Sequence, residues 1–419
     1  MPQTRIARPN RPPWEGIGHG ALKFRSAVAR PAVANTCEGI SKYLVPEILF
    51  GDGALDEIGH AALRLGAQRP MLVTDPGVWE AGWSAAAERL LREAGLHTTV
   101  WAGVSPNPRD FEIGFGADLY REHECDVLVA VGGGSCIDAA KGVAVVVSNG
   151  GAILDYEGID KVTQPLPPLV AAPTTAGTGA DLSQFAIISD VARRVKVTLL
   201  GRALVPDISI TDPLTLTTMP DWLAATTGLD ALTHGIESFV SRGANFLTDG
   251  HALSAISLVR QHLGHIVDDP RDALAQNGMA RASMSAGIAF TNAILGATHA
   301  ISHQLGGALD LPHGVLNALL LPHVVRFNAA EFPDKFRPIA GALGADAARM
   351  SVTDVADFIA EAVIELSTCL GVPQRLRDLQ VPLAELPLYA ETALRDACMA
   401  ANPRAVTKDD VLSLLQAAY

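Results

Sequence analysis

Val127–Val131 is a short apolar run that opens directly into Gly132-Gly133-Gly134-Ser135, and a second apolar stretch begins at Ile137. A valine-rich run of that length is a buried strand, and the stretch after the glycines has helical length. A strand that passes through a tight glycine turn into a helix is the first part of a βαβ unit, so the sheet is mainly parallel. The glycines have a second consequence. They let the backbone approach a ligand with no Cβ in the way, and the helix beyond presents free N–H groups and the positive end of its dipole. That arrangement suits a pyrophosphate. The pattern is not G-x-G-x-x-G, and a tight turn without a ligand is the competing reading. Ser135 is read as the helix N-cap, with Asp138 in the first turn.

The strand–helix alternation runs from about Lys42 to Leu216. Strands are expected at Met71–Thr74, His97–Trp101, Val127–Val131 and Leu169–Ala172. Helices are expected at Ala85–Ala94, Phe111–Glu122 and Ile137–Val147. Phe185–Ser189 and Val195–Leu199 read as a hairpin at one sheet edge. Pro173-Thr174-Thr175-Ala176-Gly177-Thr178-Gly179 follows a buried strand much as the first glycine loop does. Two such loops at the carboxyl ends of neighbouring strands fit the crevice rule for open α/β sheets. Asp75, after the first strand, can accept from a ribose 2′-OH and repel a 2′-phosphate, which favours NAD over NADP. An Asp before Pro-Gly is also an ordinary turn former.

After Met219-Pro220 the texture becomes helical, with periodic segments at Trp222–Ser241, Leu247–Ile266, Ala273–Ala300, Gly314–Phe327, Val352–Leu370 and Val411–Ala418. In this half, Asp230 and His234 lie four apart, as do His299 and His303, and His313 follows Pro312. Gly306-Gly307 reads as a helix end. A single histidine on an apolar face is usually a satisfied core residue. An aspartate with three or four histidines at helical spacing needs shared partners, and a divalent metal supplies them. Imidazole with carboxylate suits Fe²⁺, Zn²⁺, Co²⁺ or Ni²⁺ better than Mg²⁺ or Ca²⁺, and no thiolate joins in. His251, His262, His265 and His323 show no such convergence.

Composition excludes several classes. Hydrophobic residues are 48% and the net charge is −13 over 419 residues, so the chain is globular and is not expected to bind nucleic acid. No apolar run is long enough to span a membrane. The five cysteines, Cys37, Cys125, Cys136, Cys369 and Cys398, show no C-x-x-C spacing and read as reduced thiols of a cytoplasmic protein. No secretory signal is visible, and residues 1–36 form a basic, Pro- and Arg-rich extension. The expected division is therefore 1–36, an α/β part at 37–218 and a helical part at 219–419.

At this point the chain resembles the iron-containing (group III) alcohol dehydrogenase family. The motifs that carry the resemblance are SPNP at 105–108, GGGSCIDAAK at 132–141, PTTAGTGAD at 173–181, GLDALTHGIE at 228–237, HAISHQLGG at 299–307 and LPHGVLNALLLPH at 311–323. It covers roughly Lys42 to Tyr419. The resemblance implies an α/β N-terminal Rossmann-like nucleotide-binding domain plus an all-α C-terminal metal-binding domain. It implies Asp230, His234, His299 and His313 as metal ligands, with His303 as a nearby catalytic proton relay. It further implies NAD contacts from Asp75, Asn107, Gly133, Gly134, Ser135, Asp138, Thr174, Thr175, Thr178 and Lys196. The implied reaction is hydride transfer between a metal-bound alkoxide and the nicotinamide, on a small alcohol or aldehyde, in a homodimer or larger homo-oligomer. Phe185 and Phe290 are expected to line the substrate pocket.

Two departures stand out. The extension at 1–36 is longer than the usual family start, and Cys136 replaces the proline more often found after GGGS. The competing enzyme reading is a reductase of an anionic aldehyde or keto acid, like the maleylacetate reductases. Those relatives carry Asn at the first ligand position, where this chain has Asp230. A metal- and nucleotide-binding sensor with little turnover is the reading from another class. A cyclase of the dehydroquinate synthase type would need basic residues around the metal, and the helices here are poor in them.

Overall fold

The computed structural model describes residues 42–419, so the extension at 1–36 and Cys37 lie outside the described residues. The first part is a parallel sheet with helices on both faces. Its strands are β1 (Glu47–Phe50), β2 (Pro70–Val73), β3 (Thr99–Trp101), β4 (Val127–Gly132), β6 (Leu169–Pro173) and β9 (Ile208–Thr211), in the order β1-β9-β6-β4-β2-β3. Its helices are α1 (Ile58–Arg64), α2 (Pro76–Glu80), α3 (Trp83–Glu93), α4 (Asp110–Glu122) and α5 (Gly134–Asn149). The central strand β4 shows why both faces must be covered. Val127, Val129 and Val131 pack with Ile58 of α1 and Leu91 of α3. Leu128 and Ala130 pack on the other side with Ile113 of α4 and Val143 of α5. A strand buried on both faces reads as a continuous apolar run, as this one does.

β5 (Gly158–Ile159), β7 (Phe185–Asp190) and β8 (Val195–Leu200) form a second sheet, β5-β8-β7, in which β7 and β8 are antiparallel. The hairpin is real, but it does not sit at an edge of the main sheet. The edge beyond β6 is taken by β9 and β1, which pair in parallel. The hairpin instead packs between α5 and the helical part, and Ser189 N donates to Pro108 O at 2.8 Å.

From Asp221 onward the described chain is helical: α6 (Asp221–Val240), α7 (Phe246–Asp268), α8 (Ala273–Ala293), α9 (Ala297–Leu309), α10 (His313–Ala329), α11 (Pro333–Ala342), α12 (Val352–Cys369), α13 (Leu386–Ala393) and α14 (Lys408–Ala417), with short 3₁₀ turns between some of them. Ile236, Val259, Met279 and Ile359 belong to one core, and Leu305, Leu316, Leu320 and Leu415 to another. No helix among the described residues is long and apolar enough to cross a membrane.

Two sequence expectations are corrected here. Ala273–Ala300 is not one helix: the chain breaks at Ile294, whose φ is +66°, and α9 starts afresh at Ala297. Gly306-Gly307 does not end α9, which runs on to Leu309 and closes at Asp310 in the left-handed region. These glycines serve packing instead. A Cβ on Gly307 would lie 2.4 Å from the backbone nitrogen of Lys196 on β8.

Candidate active site

The chain runs from β2 to β3 on one side, then returns to place β4 on the other side of β2. The crevice between the carboxyl ends of β2 and β4 is therefore the switch point of the sheet, where ligands of such sheets lie. Asp75 follows β2 by two residues, and the glycine loop ends β4. Gly133, not Ser135, is the N-cap of α5, and it makes no side-chain cap bond. The first N–H groups of that helix are left for a ligand. Ser135 stands in the first turn, and its Oγ accepts from Asn107 N at 3.2 Å. Asp138 lies two residues further into the helix than expected and accepts from Ile187 N at 3.1 Å.

The second loop packs on the first. A Cβ on Gly134 would lie 2.9 Å from Thr178 Cγ2, so glycine is what lets the two loops meet. Thr174 N donates to Gly132 O at 3.0 Å, and Thr175 Oγ1 is buried without a partner. Asp75 caps α2, accepting from Val78 N at 2.9 Å, and its other oxygen accepts from the Cys136 thiol at 3.1 Å. The turn-forming reading of Asp75 is thus realised. Its carboxylate still lies against the glycine loop, 3.5 Å from the Cβ position of Gly132. Lys196 donates to Asn107 Oδ1 at 2.7 Å, and Asn107 Nδ2 donates to Asp310 Oδ1 at 2.8 Å, joining the SPNP loop to the end of α9. Burial pulls the Lys196 ammonium down to about 8, against the pull of Asp310, Asp138 and Asp230.

Facing these loops is the histidine cluster. Asp230 and His234 come from α6, His299 and His303 from α9, and His313 opens α10. The Oδ1 of Asp230 lies 3.9 Å from His234 Nε2, 3.6 Å from His299 Nε2 and 3.8 Å from His313 Nε2. The donor atoms of Asp230, His299 and His313 all fall within 4.8 Å of one another. His234 stacks on His299 with ring centroids 4.6 Å apart, and Phe290 stacks on His234 at 4.5 Å. His234 Nδ1 pairs with Gly177 O at 3.2 Å. That contact needs Gly177 itself, since a Cβ there would lie 2.4 Å from Thr227 O on α6.

The electrostatics are those of a dense donor cluster. Burial opposes ionisation of Asp230, but the His234, His313 and His299 rings hold it well below the usual carboxylate range. Burial pulls His234 down to about 4 despite Asp230. It works against protonation of His299 too, yet Asp230 and Glu237 bring that ring up to about 9. His303 pairs its Nδ1 with Asp396 Oδ2 at 2.8 Å, so its Nε2 is the free ring nitrogen.

The loops and the cluster share one cleft of about 790 Å³ of open space. Asn107, Ser135, Asp138, Thr178 and Lys196 line one side. Asp230, His234, His299, His303 and His313 line the other. Phe185 and Phe290 line it as well, their rings 5.8 Å apart. Gly134 lines it too, whereas Asp75, Gly133, Thr174 and Thr175 are not among its lining residues.

The profile for iron-containing alcohol dehydrogenase matches residues 46–213, and that for the C-terminal part of the Fe-containing alcohol dehydrogenase family matches residues 224–419. The chain belongs to the iron-containing alcohol dehydrogenase family. It is 40% identical to the 1,3-propanediol dehydrogenase of Citrobacter freundii over 380 residues, covering 90% of this chain and 98% of that protein. It is 36% identical to the NAD-dependent methanol dehydrogenase of Bacillus methanolicus, over 89% and 98%. Among solved structures, 1,3-propanediol oxidoreductase superposes with a TM-score of 0.88 at 39% identity, covering 91% of this chain and all of that one. The alcohol dehydrogenase of Oenococcus oeni superposes with a TM-score of 0.88 at 36% identity, with the same coverage.

Family membership leaves several buried partners of this chain's cluster unmentioned by the sequence reading. Glu237 accepts from His299 Nδ1 at 2.7 Å, Asn317 Nδ2 lies 2.7 Å from Asp230 Oδ1, and Asp396 holds His303. Glu237 had a signal, since it lies three residues beyond His234 on the same helix face. Asn317 had one too, four residues beyond His313. Asp396 had none, because it reaches His303 across 93 residues.

Proposed function

We propose that this chain oxidises small primary alcohols, or reduces the matching aldehydes, using NAD and one divalent metal held by Asp230, His234, His299 and His313. The observation that carries this reading is the convergence of one carboxylate and three imidazoles on a cleft whose opposite wall is the glycine loop and its companion. The donor set fits a borderline cation such as Fe²⁺, with Zn²⁺ as the alternative. Asn317 supports the fit. Its Nδ2 lies within reach of Asp230 Oδ1, His299 Nε2 and His313 Nε2 at once, so three candidate ligand atoms crowd one amide nitrogen, while its Oδ1 is buried without a partner. When bound, the metal supplies Lewis acidity toward an alcohol or carbonyl oxygen, and NAD takes or gives the hydride.

The residues of the chain do the rest. The N–H groups opening α5 bind the pyrophosphate, with Gly133, Gly134 and Ser135 leaving room for it and Asp138 behind. Thr174, Thr175 and Thr178 face the cofactor from the second loop, and Asn107 and Lys196 close over it. His303 carries the proton between cleft and solvent, its tautomer set by Asp396. Phe185 and Phe290 exclude water and limit substrate size. The cofactor part is 37–218 and the metal part 219–419. The relatives named for propanediol and methanol support short primary alcohols and diols as substrates. A homodimer or larger homo-oligomer in the cytoplasm completes the reading.

The test is NADH formation, followed by its near-ultraviolet absorbance, on protein stripped of metal and refilled with Fe²⁺ or Zn²⁺. Metal-restored turnover with short alcohols or diols is expected. NAD and metal binding without turnover on any of them would favour the sensor.

A second expectation concerns Asp75. Its carboxylate repels a 2′-phosphate, and two charges about 4 Å apart interact by roughly 1–4 kcal/mol at surface dielectrics. Asp75→Gly should therefore raise the NADP-to-NAD ratio of kcat/KM by about tenfold or more. Glycine is the right replacement, because at an N-cap it costs only a few tenths of a kcal/mol relative to Asp. An unchanged ratio would remove Asp75 from the ribose site.

A further inference from the structure

Glu237 lies on α6 about one turn beyond His234 and two turns beyond Asp230, so one face of the helix carries all three. It is buried, and both of its oxygens are engaged. Oε2 accepts from Gly296 N at 3.0 Å and from His299 Nδ1 at 2.7 Å, and Oε1 accepts from Thr298 N at 2.6 Å. Those backbone donors open α9, which has no side-chain cap of its own. One carboxylate from α6 therefore caps α9 and grips the first candidate ligand on it. The fit is close: a Cβ on Gly296 would lie 3.0 Å from Glu237 Oε1.

The contact determines which ring nitrogen is free. A nitrogen that donates to a carboxylate carries the hydrogen, so the lone pair of a neutral His299 sits on Nε2, the atom facing Asp230. His234 is held the same way through Nδ1, but by the neutral carbonyl of Gly177. An anionic partner makes the ring a stronger base and a better ligand than a carbonyl does.

We propose that Glu237 is a positioning residue of the metal centre, fixing His299 with Nε2 toward the metal and holding α9 in register with α6. The inference rests on His299 being a ligand. The competing role is a helix cap and nothing more.

The experiment is a Zn²⁺ titration of apoprotein against a chromophoric chelator, with the absorption of the Co²⁺-loaded protein recorded beside it. Glu237→Gln keeps the shape but brings an amide N–H₂ against N–H donors. Its Zn²⁺ affinity is expected to fall about 10–100-fold, as other losses of such outer partners do, with a changed Co²⁺ spectrum. If that variant yields no folded apoprotein, Glu237→Asp is read by the same titration, since it keeps the charge but cannot span the ring and the helix end together. A lowered melting temperature with wild-type Zn²⁺ affinity and Co²⁺ spectrum makes Glu237 a cap only and overturns the inference. His299→Ala, titrated in parallel, separates the two readings. Wild-type affinity there removes His299 from the ligand set, whereas loss there with wild-type affinity in Glu237→Gln removes only the role of Glu237.

Discussion

His299→Ala is expected to lose bound metal and NAD reduction together. The ring reaches Asp230 through Nε2 and Glu237 through Nδ1, and it is among the most buried side chains of the cluster. Removing even an outer partner of a ligand costs about 10–100-fold in metal affinity, so removing the ligand itself should empty the site at ordinary metal concentrations. The metal's transition-state stabilisation is worth several kcal/mol, so turnover should fall by at least about a thousandfold. Metal analysis of purified protein and initial rates with a short alcohol check both halves. Retained metal at wild-type occupancy would count against His299 as a ligand, and lost metal with retained turnover would count against the metal's part in the reaction. Melting of the metal-stripped proteins controls for folding, since the ring also supports the stack of His234 and Phe290.

What could be read from the residues was what local pattern carries. Buried strands announce themselves as apolar runs, and β2, β4 and β6 did. The histidines stand at helical spacings in an apolar setting, so their convergence was visible before any fold. What failed depends on contacts distant in the chain. β1 and β9 pair across about 160 residues and are too short and too mixed in pattern to stand out, with β1 only half-buried. The break at Ile294 was hidden because the cap of α9 is Glu237, on another helix. Ser135 looked like the N-cap because the glycines before it gave no side chain to weigh against it. Gly306 and Gly307 read as a helix end from sequence because glycine serves both helix ends and close packing, and only the neighbouring strand shows which.

Lys141 is the sharpest case, and it yields the second large expectation. It ends the GGGSCIDAAK motif, yet nothing in the sequence says why a lysine belongs inside. In the fold it is fully buried, and its Nζ donates to Ala180 O at 2.6 Å, Phe185 O at 2.7 Å and Ser183 O at 2.8 Å. Its three closest partners are backbone carbonyls, which no residue pattern displays. The ammonium ties α5 to the segment leading from the second loop into β7, so both loops of the cleft depend on it. Lys141→Met keeps the length but leaves those carbonyls buried without donors. Each such orphan costs about 1–3 kcal/mol, partly offset by relief from burying a charge, so a net loss of about 3–5 kcal/mol is expected. Urea unfolding of the metal-stripped protein measures it. The loss should also depend on pH. Burial lowers the Lys141 ammonium to about 8, against the opposing pull of Asp138 and Asp181. Between about 8 and the ordinary lysine value the unfolded chain holds a proton that the folded chain has released, so the wild-type fold gains stability as pH rises through that window. The methionine replacement has no such proton, and the gap between the two proteins should widen across it. A constant gap would mean that the amine stays charged in the fold, and no gap at all would mean that the three carbonyls find water in its place.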